Sequence, residues 1–311
     1  KLYFSKNDLD EKNASSVKDF DIISVFIYSQ INKHVLDKLD SVKLIVTRST
    51  GFDHIDINEC KKRNVKVLNV PFYGENTVAE HAFALILNLS RKIHKSCERT
   101  EEGDFSLKGL RGFDLKGKTL GIVGMGHIGE HVARMAKGFE MNILAFDIYK
   151  KSSLAKKFGF KYATLKELLK NSDIVTLHTP YNKHTHHLIN SRNIGLMKKG
   201  AYLINTARGG LVDTGPLIRA LKSKHLAGAG LDVLEEEELI KEEAQLVSKK
   251  FSNEKMQCLF ENHKLLKMEN VVVTPHNAFN SQEALQRILD TTANNIQYFI
   301  EKNKFLNEVK I

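Results

Sequence analysis

Short apolar runs rich in β-branched residues alternate along this chain with longer stretches in which apolar positions recur every three or four residues. "DIISVFI" (Asp21 to Ile27), "VKLIVT" (Val42 to Thr47) and "VKVLNV" (Val65 to Val70) predict buried strands, with amphipathic segments around Val35 and Ile57 between them. Together they predict a small parallel α/β unit. From Thr77 to about Cys97 the residues Val78, Ala82, Leu85, Ile86, Leu89 and Ile93 keep helical spacing. One long helix is expected there, opening at an Asn76 or Thr77 cap. A second α/β series then begins with a strand at Thr119 to Val123, a helix at Ile128 to Lys137 and a strand at Asn142 to Phe146. Further strands are expected at Asp173 to His178, Ala201 to Asn205, Ala229 to Val233 and Val271 to Thr274.

The turn that opens the second series carries the first chemistry. In "GIVGMGHIG", Gly124, Gly126 and Gly129 lie between a strand and a helix, with His127 and Ile128 inside the turn, and Asp147 follows eighteen residues after Gly129. Glycines that only make a tight βα turn are the plain alternative. The strand, the helix and the downstream acid instead predict dinucleotide binding, with a pyrophosphate at the helix N-terminus. Asp147 would accept hydrogen bonds from the adenosine ribose and repel a 2′-phosphate, which favours NAD over NADP. Lys150 and Lys151 weigh the other way.

In an open parallel sheet, ligands bind beyond the carboxyl ends of the strands. Arg208, Asp232 and His276 fall at or just past three such ends. An arginine, a carboxylate and a histidine beside a nicotinamide are the parts for moving a hydride and a proton to or from a carbonyl. The arginine can clamp a carboxylate, and the histidine can exchange the proton.

Composition narrows the classes. A chain of 311 residues at 42% hydrophobic can bury a large core and favours two domains. Three scattered cysteines, Cys60, Cys97 and Cys258, form neither a disulfide framework nor a zinc pattern. The longest apolar runs, such as "FALILNL" at Phe83 to Leu89, are too short to span a bilayer, and no signal-peptide pattern opens the chain, so a soluble cytoplasmic protein is expected. A net charge of +10 raises nucleic acid as a rival partner. The lysines nevertheless come as dispersed pairs without interleaved aromatics, which fits a basic surface that steers anionic substrates. "HTHH" at His184 to His187 looks like a metal tract but lacks a carboxylate or cysteine at ligand spacing, so a solvated loop and no metal are expected. His81 and His178 are expected to pack or cap.

Through "GIVGMGHIG", "HTP", "NTARGGLVD", "GLDVLEEEE" and "VTPHNAF", essentially the whole chain resembles the NAD-dependent D-isomer-specific 2-hydroxyacid dehydrogenases. Their fold is a Rossmann-type doubly wound parallel sheet domain plus a smaller flavodoxin-like α/β substrate domain. The likeness assigns residues 75–279 to the NAD-binding domain and residues 1–74 with 280–311 to the substrate domain. It also implies a further strand and helix ahead of "KLYF", where this sequence starts at Lys1 without methionine. By the resemblance, Arg208 binds the substrate carboxylate and carbonyl, His276 is the proton donor and acceptor, and a glutamate five residues after Asp232 keeps it protonated. That spacing selects Glu237 and leaves Glu235, Glu236 and Glu238 as loop or surface charges. Asp232 would meet the carboxamide, while Thr179, Pro180, Thr206 and Ala207 line the cofactor. The backbone of Thr50 and Gly51 would hold the substrate carboxylate.

The likeness is closest to the D-lactate dehydrogenase branch, through Tyr73 in "VPFYGENTVAEH", through Phe279 and through the insertion after the acidic motif. Tyr73 and Phe279 would favour a small substrate such as pyruvate. Relatives use the helix that starts near Thr77 as a dimer contact, so a homodimer is expected. Some proteins of this likeness bind NAD and act as partner-binding corepressors, which stays open as the other class of function.

Overall fold

The computed structural model describes residues 2–237 and 253–309, so Glu238 lies outside the described residues. The chain forms two compact units, one of Lys1–Gly74 with Asn280–Ile311 and one of Glu75–Phe279.

In the first unit β1 (Ile22–Val25), β2 (Leu44–Thr47) and β3 (Lys66–Leu68) run parallel in the order β1-β2-β3. Each strand is shorter than its apolar run because pairing stops where the chain turns into the neighbouring loop. Central β2 is buried at every residue, and its side chains alternate between two cores. Ile45 packs with Val35, Leu36 and Cys60 from the short Lys33–Leu36 and Ile57–Lys62 helices, whose Asn32 and Asp56 caps accept the N–H of Val35 and Glu59. Leu44, Val46 and Leu68 pack with Ile296 and Phe299 on the Gln282–Lys302 helix. That helix also braces the chain after β3. Fully buried Asn295 donates to the Asn69 carbonyl at 2.9 Å, and Arg287 Nε donates to the Tyr73 carbonyl at 2.6 Å.

The second unit is an all-parallel sheet of β4 (Thr119–Val123), β5 (Asn142–Phe146), β6 (Lys161–Tyr162), β7 (Ile174–Leu177), β8 (Ala201–Asn205), β9 (Leu226–Leu231) and β10 (Val271–Val273). Their order, β10-β9-β8-β7-β4-β5-β6, is that of a Rossmann-type doubly wound fold, with its switch point between β4 and β7. The two-residue edge strand β6 has no apolar run to announce it. β9 starts earlier than its apolar pattern suggested and ends at Leu231, which leaves Asp232 as the first residue beyond it. Its small residues allow close neighbours: a side chain at Gly228 would meet the Asn270 carbonyl at 2.7 Å. Separate apolar cores form within the unit, one around Leu120, Ile122 and Ile174 and one around Val175, Leu177 and Leu203.

The long helix differs from expectation. It opens at Glu75 and ends at Arg91, and a second helix runs from Ile93 to Glu101. Between them Lys92 takes a left-handed φ of 52°. The cause is long range: the Phe113 N–H takes the Ser90 carbonyl at 2.9 Å, and Gly112 packs so closely there that a Cβ would lie 2.1 Å from that oxygen.

Candidate active site

Parallel strands place their carboxyl ends on one edge. Along the edge in sheet order stand Asp147 after β5, Gly124 after β4, Thr179 after β7, Arg208 after β8, Asp232 after β9 and His276 after β10. The sheet therefore brings the NAD-turn residues and the three candidate chemical residues into one row.

At the switch point Gly124 holds a φ of +98°, and a Cβ there would meet the His178 carbonyl at 2.6 Å. Gly129 is tighter, since its Cβ would lie 2.1 Å from the Gly124 carbonyl. Gly126 faces open space and caps the His127–Gly138 helix without a side-chain bond, so the first N–H groups of that helix remain for an anion. His127 is exposed and Ile128 half-buried beside it. Asp147 accepts the Met125 N–H at 2.6 Å and the Tyr149 N–H at 2.7 Å, tying the end of β5 to the glycine turn. The buried hydroxyls of Thr179 and Thr206 have no hydrogen-bond partner among the described residues. Buried orphans of this kind at strand ends need a ligand or water. An open helix N-terminus, two unpaired hydroxyls and an acid at the end of β5 fit a bound dinucleotide. Pro180 and half-buried Ala207 flank the two threonines.

The turn that carries Arg208 is shaped by Asn205, a residue the sequence reading placed only in a strand. Its side chain, 1% exposed, accepts the Ala207 N–H at 3.0 Å and donates to the Arg208 carbonyl at 2.8 Å. Arg208 Nη1 donates to the Ala207 carbonyl at 2.8 Å.

Asp232 organises the histidine turn. The residue is fully buried. Its carboxylate accepts from the Thr274 hydroxyl at 2.5 Å and from the N–H groups of Asn277 and Ala278, both at 2.8 Å, and His81 Nε2 lies 3.3 Å away. Burial alone would push this carboxyl up, but the donors from His81, Thr274, Asn277 and Ala278 hold it below the ordinary carboxylate value. The Asp232 carbonyl also accepts the His276 N–H at 2.8 Å. In this structure Asp232 thus shapes the Thr274–Ala278 turn. His81, expected only to pack or cap, joins the same network, with its Nε2 2.9 Å from the Thr274 hydroxyl.

The turn holds His276 at a φ of 53°, a left-handed conformation that costs on the order of 1 kcal/mol in a non-glycine residue and concentrates at functional sites. It directs Nδ1 to Glu237 Oε1 at 2.6 Å. Glu237 Oε2 accepts the Leu234 N–H at 3.3 Å, and the Phe279 ring stands edge-on to the imidazole with centroids 6.4 Å apart. Among the four glutamates, Glu236 is exposed with Lys255 Nζ at 3.4 Å.

Two sequence expectations need correction here. Glu235 is not a loose surface charge, because its carboxylate lies 2.5 Å from His187 Nε2 and accepts the Thr214 hydroxyl at 3.0 Å. Correspondingly, "HTHH" is only partly solvated: His187 is about seven-tenths buried by this contact. The signal was concealed because 48 positions separate the two partners. No cluster of three or more metal-ligating side chains occurs among the described residues. Burial pushes the thiols of Cys60 and Cys258 up to about 12, so neither suits a nucleophile.

His178 packs beneath the glycine turn, with Nε2 2.8 Å from the Thr176 hydroxyl and Nδ1 unpartnered among the described residues. Burial lowers its pKa from 6.5 to about 3. The unfolded chain therefore binds this proton first as pH falls, and the stability from neutral His178, complete above 6.5, is lost between 6.5 and about 3. Between pH 7 and 5 the loss should be about 2 kcal/mol. His178→Gln should flatten that slope in urea unfolding, and an unchanged slope in the variant would show that His178 is not its source.

In the first unit Thr50 and Gly51 follow β2. The Thr50 hydroxyl donates to the Val70 carbonyl at 2.9 Å, and Asn69 Nδ2 donates to the Thr50 carbonyl at 2.9 Å. Ser49 Oγ donates to the Gly51 carbonyl at 2.6 Å, so the loop is shaped by its own side chains. Tyr73 is half-buried above the Arg287 bond.

Residues 83–278 match the sequence model of a family described as D-isomer specific 2-hydroxyacid dehydrogenase, NAD binding domain. A D-lactate dehydrogenase of Escherichia coli (strain K12) is 37% identical over 291 residues, covering 93% of this chain and 86% of the relative. A glyoxylate reductase of Pyrococcus furiosus is also 37% identical, over 296 residues, covering 93% and 82%. Among solved structures, D-lactate dehydrogenase from Aquifex aeolicus complexed with NAD and lactic acid superposes with a TM-score of 0.86 at 38% identity, covering 96% of this chain and 90% of that one.

Proposed function

This chain belongs to the D-isomer specific 2-hydroxyacid dehydrogenases, with NAD as cofactor, and on that premise we propose that it interconverts pyruvate and D-lactate. The observation that carries the reading is the His276–Glu237 contact at 2.6 Å, in the same edge row as the NAD turn. When bound, the nicotinamide supplies or accepts the hydride. His276 gives a proton to the carbonyl oxygen from Nε2, since Nδ1 is directed to Glu237. Glu237 orients the ring through that bond. Arg208 clamps the substrate carboxylate and polarises the carbonyl. Phe279, edge-on to His276, restricts the substrate side chain to a small group.

The decisive test is NADH oxidation on adding pyruvate. Turnover supports the dehydrogenase, whereas tight NADH binding without turnover on any 2-oxo acid would favour the corepressor-like reading. The glyoxylate reductase relative makes glyoxylate the competing substrate, and a higher kcat/KM for glyoxylate than for pyruvate would overturn the pyruvate assignment. Homodimer formation is part of the proposal. The unit of Glu75–Phe279 leaves Phe105 and Leu107 about four-fifths exposed, and a monomer by light scattering would refute it.

Asp147 tests cofactor choice. With both its oxygens already turned to the glycine loop and the segment after β5, its charge sits where an adenosine ribose would lie. Asp147→Ala should weaken NADH by about ten-fold while changing NADPH little, since one lost charged hydrogen bond is worth about 1.5 to 3 kcal/mol. If the native protein already turns over NADPH as fast as NADH, Asp147 is not the selector.

A further inference from the structure

Among the described residues of the acidic run, Glu235 is bonded at both its carboxylate and its carbonyl, and the mechanism does not use it. Its carboxylate meets His187 Nε2 at 2.5 Å and the Thr214 hydroxyl at 3.0 Å. Its carbonyl accepts from Asn262 Nδ2 at 2.7 Å and from the Cys258 thiol at 3.4 Å. A free surface charge would need neither pair of donors.

What these bonds hold lies on either side. His187, at a left-handed φ of 48°, also donates its N–H to the Gly210 carbonyl at 2.8 Å, two residues beyond Arg208. Gly209 presses on the acidic turn so closely that a Cβ would lie 2.0 Å from the Leu234 carbonyl. His187 therefore bonds to the turn that carries Arg208 and to the turn that carries Glu237. Between Glu235 and Glu237 stands Glu236 with a φ of 50°, a strained position that persists only where its surroundings over-determine it. Glu235 supplies that anchorage one residue away, and the chain then presents Glu237 to His276. The neighbouring imidazole does not turn the tract into a metal site: His186 stacks on His187 at 3.8 Å, and its Nδ1 lies 3.0 Å from the Tyr181 hydroxyl.

We propose that His187 and Glu235 are positioning residues for the proton donor, locking the acidic turn against the Arg208 turn so that Glu237 stays on His276. This rests on the reading of His276 as the proton donor. Neither His187 nor Glu235 touches the reacting atoms. Their effect passes through Glu237.

His187→Phe keeps a ring to stack on His186 and deletes the nitrogen that meets Glu235, whereas His187→Gln keeps a donor. For a displacement on the order of 1 Å at the acid, His187→Phe should lower kcat by about ten-fold to a hundred-fold, with the Kd for NADH unchanged. The low-field NMR signal of the His276 Nδ1 proton, which reports its bond to Glu237, should move toward its position in Glu237→Gln. His187→Gln should restore most of both. Should His187→Phe fail to fold, Glu235→Gln, which keeps the shape and removes the charge, is read the same way. A variant that loses only thermal stability, with kcat and the His276 Nδ1 signal as in the wild type, would show the pair to be structural and overturn the proposal. If the wild type turns over no 2-oxo acid, the functional reading fails by that result alone, and the NMR signal still decides the pair: an unmoved His276 signal rejects it.

Discussion

His276→Ala should lower pyruvate reduction by about a hundred-fold to ten-thousand-fold, the contribution of a positioned general acid. NADH affinity should stay within a small factor of the wild type, because the glycine turn and Asp147 belong to β4 and β5 at the other side of the switch point. Stability should change little, since the backbone bond from His276 to the Asp232 carbonyl and the Asp232 bonds that shape the turn stay intact. Stopped-flow hydride transfer with separate NADH titration measures both quantities, and a variant retaining more than a tenth of wild-type kcat would remove His276 from the proton-transfer role.

Glu237→Gln refines that test by withdrawing a negative charge 2.6 Å from the imidazole. The carboxylate that orients the imidazole and faces its developing charge is then gone. kcat for pyruvate reduction should therefore fall by about ten-fold, equivalent to about 1.4 kcal/mol. Glu236→Gln, whose side chain faces Lys255, should leave kcat in place. A loss in Glu236→Gln with none in Glu237→Gln would reverse the assignment.

The second large effect is a pair of glycine substitutions with opposite causes. Gly129→Ala places a methyl group 2.1 Å from the Gly124 carbonyl, a backbone atom that cannot swing aside. The His127–Gly138 helix must then separate from the turn, at a cost of about 3 kcal/mol or more for overpacking. Thermal unfolding should drop by roughly 10 °C, and NADH binding should fall with it. Gly126→Ala meets nothing within 4 Å and should unfold at the wild-type temperature. Its methyl nevertheless occupies the space through which a pyrophosphate approaches the helix N-terminus, so the Kd for NADH should rise by at least ten-fold, on the order of 1.4 kcal/mol. Normal NADH affinity in a folded Gly126→Ala would disprove the placement of the phosphates, and an unchanged melting temperature in Gly129→Ala would contradict the packing.

Local chemistry was sufficient for much of this protein. Alternating β-branched runs and helical spacing announced strands such as Thr119–Val123 and Ala201–Asn205 at their observed bounds, because burial on both faces demands continuous apolar residues. Gly124 and Gly129 announced a tight turn between strand and helix, because a side chain at either would collide with backbone there. Asp147, Arg208, Asp232 and His276 could be placed at strand ends from their position after each run, and their alignment on one edge follows from the parallel sheet. Tertiary contact decided the rest. The break at Lys92 depends on the Phe113 N–H taking a carbonyl from a helix whose own sequence would continue. The inward attachment of Asp232 to the His276 turn joins residues more than forty positions apart. The anchoring of Glu235 by His187 does the same, and four consecutive glutamates are chemically identical until such contacts make one a clasp and another the neighbour of a histidine. A sequence pattern records which side chains leave water. It carries no record of which distant donor each buried acceptor will meet, and that pairing is settled only when the folded chain satisfies its buried polar groups.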